Sequence, residues 1–256
     1  MRVYCAGMIR SGSTWQYNVT SELLEHCEIA KRLGFAESES TLKRWISLDT
    51  NAVIKVHQPY NSLINDVGAG RARVVYIYRD LRDVAASLMQ HQERDLQSIL
   101  ASDWLERIWH THEIWLDLPG ILVQRYEDML VNTLNAARQI VTFLELDIDE
   151  APLRVIDKRN LLETRRAELM SRRSVLDPLL HPLRAATGRT LRWLIGREAT
   201  SKMARPFGYL GKRGVDPHTH LHPNHIANGR VGSYRKVMTP QEQEEIDQVV
   251  TRITDP

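Results

Sequence analysis

Three short segments carry residue types able to hold and transfer a charged group. The first is Gly7-Met-Ile-Arg-Ser-Gly-Ser-Thr-Trp15. Its small residues let backbone N–H groups close around phosphate oxygens, and a helix starting there adds a favourable dipole. The spacing is that of G-x-x-x-x-G-K-[ST], except that Ser13 stands in the lysine position. In nucleotide kinases that lysine serves the β- and γ-phosphates beside Mg²⁺. A loop that keeps the glycines and loses the lysine fits a phosphate ester without metal-assisted phosphoryl transfer. The second segment, Arg79-Asp-Leu-Arg-Asp-Val-Ala-Ala-Ser87, puts an arginine at the carboxyl end of a predicted strand and a serine two turns into the next helix. Both could reach one phosphate. The third, Lys55-Val-His57-Gln-Pro59, sets an ammonium and an imidazole two residues apart, on one side of a strand. Histidine is the side chain best suited to accept a proton at neutral pH. Each segment also has a plain structural alternative: a ligand-free βα turn, a salt-bridged helix start using Arg79, Arg82 and Asp83, and a hydrogen-bonded structural histidine.

In this chain order the segments resemble the sulfotransferases that use 3′-phosphoadenosine 5′-phosphosulfate (PAPS). Arg10-Ser-Gly-Ser-Thr-Trp15 is similar to that family's 5′-phosphosulfate loop, K-S-G-T-T-W, with Arg10 replacing lysine. The change keeps the charge and alters its geometry. The resemblance implies that Ser11, Gly12, Ser13 and Thr14 hold the 5′-phosphate and that Trp15 stacks on adenine. It further implies that Arg79 and Ser87 grip the 3′-phosphate, and that His57, in a K-x-H-x-P setting, is the catalytic base. Arg125-Tyr-Glu-Asp-Met129 resembles a segment whose tyrosine, here Tyr126, lies near adenine. Gly229-Arg-Val-Gly-Ser-Tyr-Arg235 resembles the late R-K-G-x-x-G-D-W-K segment that closes over the 3′-phosphate. Here Ala227 and Asn228 precede Gly229, Ser233 replaces aspartate and Tyr234 replaces tryptophan, so the missing charge falls to Arg230 or Arg235. The implied reaction is in-line sulfuryl transfer from PAPS to a hydroxyl-type acceptor, leaving 3′-phosphoadenosine 5′-phosphate (PAP). His57 takes the acceptor proton, and Arg10 and Lys55 offset developing charge in place of a metal.

The elements that must position these residues alternate strand and helix, which predicts an α/β fold with a parallel sheet. Strands are expected at 2–8, 52–57, 73–78 and 121–123, and helices at 13–27, 96–117 and 132–145, with Asp80 capping a further helix. Thr239-Pro-Gln-Glu242 is a capping box opening a last helix to about residue 253. The expectation is a single domain over 1–256 with P-loop-like topology. A central parallel sheet of four or five strands flanked by helices occupies about 1–150, and a helical, loop-rich acceptor region follows at 151–256.

Composition narrows the function classes. The 256 residues include only two cysteines, Cys5 and Cys27, outside any C-x-x-C pair, which argues against a disulfide framework or a cysteine zinc site. The first residues lack the apolar run of a signal peptide, and no uncharged run spans a bilayer, so the expected location is the cytoplasm. The net charge of +2 hides a basic stretch at 151–215, with fifteen Lys and Arg against five acids. It lacks the interleaved aromatics of a base-stacking surface, so no nucleic-acid partner is expected. His218-Thr-His220-Leu-His222 lies in a proline-containing loop without a cysteine, and no metal site is expected there. The acceptor stays open among small-molecule, glycan and lipid hydroxyls, its pocket expected in loops near 31–50, 58–70, 90–100 and 176–225. A partial match of Arg235…Thr239…Glu244 to a dimer segment of cytosolic members leaves a homodimer open. Two rivals stand beside this reading: a P-loop nucleotide or small-molecule kinase with Asp80 as Mg²⁺ ligand, and a non-catalytic nucleotide-binding module.

Overall fold

The computed structural model of the chain describes residues 1–92, 94–171, 219–220 and 230–255. Five strands form one parallel sheet in the order β2-β3-β1-β4-β5. These are β1 (Arg2–Gly7), β2 (Lys31–Phe35), β3 (Ala52–Val56), β4 (Ala72–Tyr78) and β5 (Leu122–Arg125). Helices follow the strands: α1 (Ser13–His26), α2 (Glu39–Ile46), α3 (Asn61–Gly68), α4 (Leu81–Gln92), α5 (Leu96–Leu100), α6 (Trp104–Leu116), α7 (Tyr126–Val131), α8 (Thr133–Leu144) and α9 (Glu150–Asn160). After the last described gap come α11 (Tyr234–Val237) and α12 (Pro240–Thr254), the latter opened by the expected Thr239/Glu242 capping box. This is the α/β, P-loop-like arrangement the alternating pattern predicts.

The chain divides into two compact units, Met1–Asn160 with Ala227–Pro256, and Leu161–Ile226. In the second unit the described part is chiefly α10 (Leu162–Ser171). Most of the basic stretch, His218, His222 and Gly229 lie outside the described residues.

Central strand β1 is buried along its whole length, and its alternate residues feed two cores. Val3 and Cys5 face Tyr17, Leu23, Leu24 and Ile140 beneath α1 and α8. Tyr4 and Ala6 face Leu42, Leu63, Tyr76 and Trp115 on the other side. A third cluster joins Met8, Leu81, Leu88, Ile108, Tyr234 and Ile246, so α4, α6 and the C-terminal helices share one apolar layer.

Several elements differ from expectation, among them α2 and α3, helices in the segments 31–50 and 58–70 read as loops. Strand β2 falls in a segment read as loop. Its sequence, Lys-Arg-Leu-Gly-Phe, has two cations and a glycine, and it runs half-exposed at the sheet edge with a register shift between Arg32 and Gly34. The single helix expected over 96–117 is two. Asp95 caps the start of α5 by accepting from Ser98 N, and at its end Ser102 Oγ donates to Ile99 O at 2.7 Å, a local side-chain bond that closes this helix before Trp104 begins the second.

Candidate active site

The carboxyl ends of β1, β3 and β4 converge on one loop, residues 7–13. Gly7 and Gly12 are forced by close approach. A Cβ on Gly7 would lie 2.5 Å from Ser13 Cβ, and one on Gly12, whose φ is +84°, would lie 2.8 Å from the Tyr126 ring. Gly12 is the N-cap of α1 and offers no side-chain cap, so the first-turn amides have no intrahelical partner. Ser11 is fully buried, with its hydroxyl 2.6 Å from Met8 O and 3.0 Å from Ile77 O; that hydroxyl braces the loop against β4. Arg10 has φ +65°, a conformation costly for a residue with a side chain.

Three cations gather around this loop. Lys55, 6% exposed at the end of β3, donates from Nζ to Thr14 Oγ1 at 2.7 Å. Burial pushes its pKa down to about 8, and the charge of Arg10 acts in the same sense. Arg10 itself is lowered to about 10, by burial first and then by Arg79. Arg79, 7% exposed, stacks 4.4 Å from the Tyr126 ring centre. Its Nη1 donates to Arg10 O at 3.3 Å and its Nη2 to Arg230 O at 3.0 Å, while its buried Nε has no acceptor among the described residues. Cations gathered in a buried site, two of them with lowered pKa values, are a fit for a polyanion, whose phosphates would favour their charged forms.

The loop side and the Arg79 side interlock. Arg10, assigned by resemblance to the 5′ end, donates from Nε to Oγ of Ser87, assigned to the 3′ end, at 2.8 Å. Together with the Arg79–Arg10 bond, this makes one unit of what the motifs present as two grips. Tyr126, 7% exposed, lies between Gly12 and Arg79. Trp15 packs at the edges of two apolar clusters, with its buried Nε1 unpartnered. Arg230 and Arg235 are both exposed; Arg235 stacks on Tyr234 at 5.1 Å, and Arg230 reaches Arg79 through its carbonyl.

Asp83 organises the far side and was missed as a positioning group. It is 1% exposed and lies 3.3 Å from Arg79 Nη2. Gly232 N at 2.8 Å, Ser233 Oγ at 2.9 Å and Tyr234 N at 3.1 Å all donate to its carboxylate. The visible signal was only an acid four residues after Arg79, the spacing of an ordinary helix ion pair. Asp80 is committed elsewhere. Its two oxygens accept from Arg82 at 2.6–3.2 Å, which holds its pKa down against the effect of burial and leaves little freedom to bind Mg²⁺. Among the described residues no group of three or more His, Cys, Asp or Glu is placed to hold a metal ion.

His57 follows β3 with its Nδ1 2.7 Å from Gly7 O. A carbonyl only accepts, so Nδ1 carries the proton and Nε2 keeps the lone pair. The Phe35 ring on β2 meets the imidazole edge-on at 5.2 Å. Burial, reinforced by Lys55, pushes the His57 pKa down to about 4, so the ring is neutral at pH 7. It borders a cavity of about 560 Å³ between the loop and α6. The 58–70 segment contributes to this cavity, as expected of an acceptor region; α6, the main wall, was not anticipated.

The sulfotransferase domain model matches residues 2–177 of this sequence. No curated protein matches it. Among solved structures, a mouse sulfotransferase complexed with PAP is similar at TM-score 0.69 and 13% identity, covering 99% of this chain and 84% of that one. Retinol dehydratase in complex with androsterone and PAP is similar at TM-score 0.58 and 14% identity, covering 99% of this chain and 80% of that one. The same enzyme with retinol and PAP gives 0.55 and 14%, over 98% and 79% of the two chains. At these identities the likeness is one of fold. Among the described residues no helix is long and apolar enough to cross a membrane.

Proposed function

The chain belongs to the sulfotransferase domain family, and from that premise we propose that it transfers a sulfuryl group from PAPS to a hydroxyl acceptor, with His57 as general base. The observation that carries this reading is the meeting of Arg10, Lys55 and Arg79 at one phosphate-type loop, next to a histidine whose Nδ1 proton is fixed on Gly7 O.

The loop amides, Thr14 and Lys55 hold the 5′ end of the donor; Arg79, Ser87 and the segment from Arg230 hold the 3′-phosphate. The acceptor enters from the cavity on the His57 side. Its oxygen forms a bond to sulfur as the bond from sulfur to the 5′-phosphate oxygen breaks, and PAP leaves with the electron pair. Nε2 of His57 takes the acceptor's proton, an effect worth roughly 10²–10⁴ in rate. A base with pKa about 4 is weak in the free protein; the donor's negative charge alongside it raises that value when donor is bound. Lys55 and Arg10 stabilise charge on the bridging and sulfuryl oxygens, the role fixed cations share with metal ions in phosphoryl transfer. The kinase reading loses its two anchors, since Ser13 replaces the lysine and Asp80 is held by Arg82.

The test is to incubate the protein with sulfur-labelled PAPS and a panel of phenols, sterols, sugars and lipid alcohols in excess EDTA. Labelled product and PAP are expected. Activity lost on chelation, or phosphorylation of an acceptor from ATP, would return the kinase reading.

A further inference from the structure

Resting on that reading, we propose that the acceptor is an amphiphile that joins its hydroxyl to an apolar body and an anionic group, and that Arg107 on α6 binds the anion. The cavity beside His57, about 560 Å³, is large enough for a drug-sized molecule. Met8, Ile9, Pro59, Ile108 and Ile114 give it apolar walls, and Trp104 closes the side where α6 begins. Those walls suit a hydrocarbon or aryl body and are a poor match for a free sugar, whose hydroxyls would lose water without gaining partners.

The charges on the walls all have one sign or none. Arg107 and His110 line the cavity with His57, and among the described residues no Asp or Glu does. Helical spacing explains how α6 delivers them: Trp104, Arg107, Thr111 and Ile114 recur every three to four residues on one face. The acids of α6 each lie beside another group, Glu113 beside the lining His110 itself. Glu106 lies 3.7 Å from Arg252, and Glu113 lies 3.6 Å from His110. Arg107 forms no ion pair among the described residues; its Nε donates to Asp103 O at 3.3 Å, and its terminal nitrogens, which have no acceptor among those residues, can meet a bidentate anion. A second guanidinium, Arg94, sits 5.5 Å over the Trp104 ring. Buried Lys55 adds positive charge close to His57. An acceptor with a cationic end would meet like charge at Arg107, whereas a carboxylate, sulfate or phosphate would meet complementary charge there.

Matched acceptors and the PAP-loaded protein test this whatever the natural acceptor is. Two series suffice: para-propylphenol, para-hydroxyphenylpropionate and tyramine; and decanol, ω-hydroxydecanoate and aminodecanol. Calorimetry on the PAP complex should rank anion over neutral over cation in at least one series, by about fivefold or more for the first step, since Arg107 is solvent-exposed. Arg107→Gln should flatten that ranking and Arg107→Glu invert it. Neutral members binding as tightly as anionic ones, no binding by either anionic member, or equal losses for all members in Arg107→Gln would overturn the proposal. A protein that fails to bind PAP at all would instead overturn the donor reading on which it rests.

Discussion

The two ends of strand β1 hold buried charge in opposite ways. At the amino end Asp66, 1% exposed, receives Nε and Nη2 of Arg2 at 2.6 and 2.7 Å, Nε of Arg71 at 2.9 Å and the Tyr4 hydroxyl at 2.8 Å. Burial works against the carboxylate, but these donors hold its pKa below the ordinary value. Its lone pairs are satisfied, and nothing there invites a ligand. At the carboxyl end the balance is reversed. Arg79 lies against the buried carboxylate of Asp83, Arg10 and Lys55 form no ion pair among the described residues, and the pKa values of Arg10 and Lys55 are depressed. One end uses charge to hold the fold; the other holds a surplus that an anionic donor would balance.

The largest effect should come from breaking the balanced end. Asp66→Ala leaves buried Arg2 with only the exposed Asp49, 3.8 Å away, as a charged partner among the described residues, which destabilises by about 3–5 kcal/mol. Chemical denaturation should show that loss, while the folded fraction keeps its PAP affinity; a parallel drop in PAP affinity per folded molecule would erase the contrast between the two ends. His57→Ala should lower turnover by about 10²-fold or more, with PAP affinity nearly constant, because the base acts on the acceptor. Near-normal turnover would pass the proton to another group.

A smaller effect is expected at Asp83. Asp83→Asn presents an amide to three donors and Arg79, so PAP affinity should fall by about tenfold through loosened Arg79 and the segment at 230–234. Glutamate at that position should restore part of it, and AMP affinity should change less. Equal losses for the two nucleotides would make Asp83 a fold residue only. The smallest effect is one of pH. With a free-state pKa of about 8, Lys55 is charged below that value and neutral above it, so PAP binding weakens as pH rises through 8. Lys55→Met should bind PAP more weakly at neutral pH, lose that dependence and keep its melting temperature, since a desolvated charge is gone. A lowered melting temperature would mean that Lys55 supports the fold.

What the sequence disclosed follows the same division. The loop was legible because neighbouring side chains close on Gly7 and Gly12, and Gly12 has φ +84°, which leaves a fixed imprint at fixed spacing. The buried strands were legible from continuous apolar runs. Strand β2 was not, since an edge strand needs little apolar character, yet it brings Phe35 to His57. The bond from Arg10 to Ser87 spans 77 positions and depends on the left-handed turn at Arg10, which no motif records. Asp83 looked like a local helix pair because its partners at 232–234 are brought to it only by tertiary packing. The acceptor wall was hidden for a similar reason: α6 reads as an ordinary amphipathic helix until its neighbours are known.

The central claim is that the surplus charge at the carboxyl end of β1 binds a nucleotide phosphorylated at both its 3′ and 5′ ends. Calorimetric titration of the protein and of Arg79→Ala with PAP and with AMP tests it most directly. The account predicts PAP binding tighter than AMP by about tenfold or more, since a charge-assisted bond to phosphate contributes about 1.5–3 kcal/mol. In Arg79→Ala that preference should collapse, with AMP weakened only slightly through the lost bond to Arg10 O. Equal affinities for PAP and AMP in the unmodified protein would contradict it.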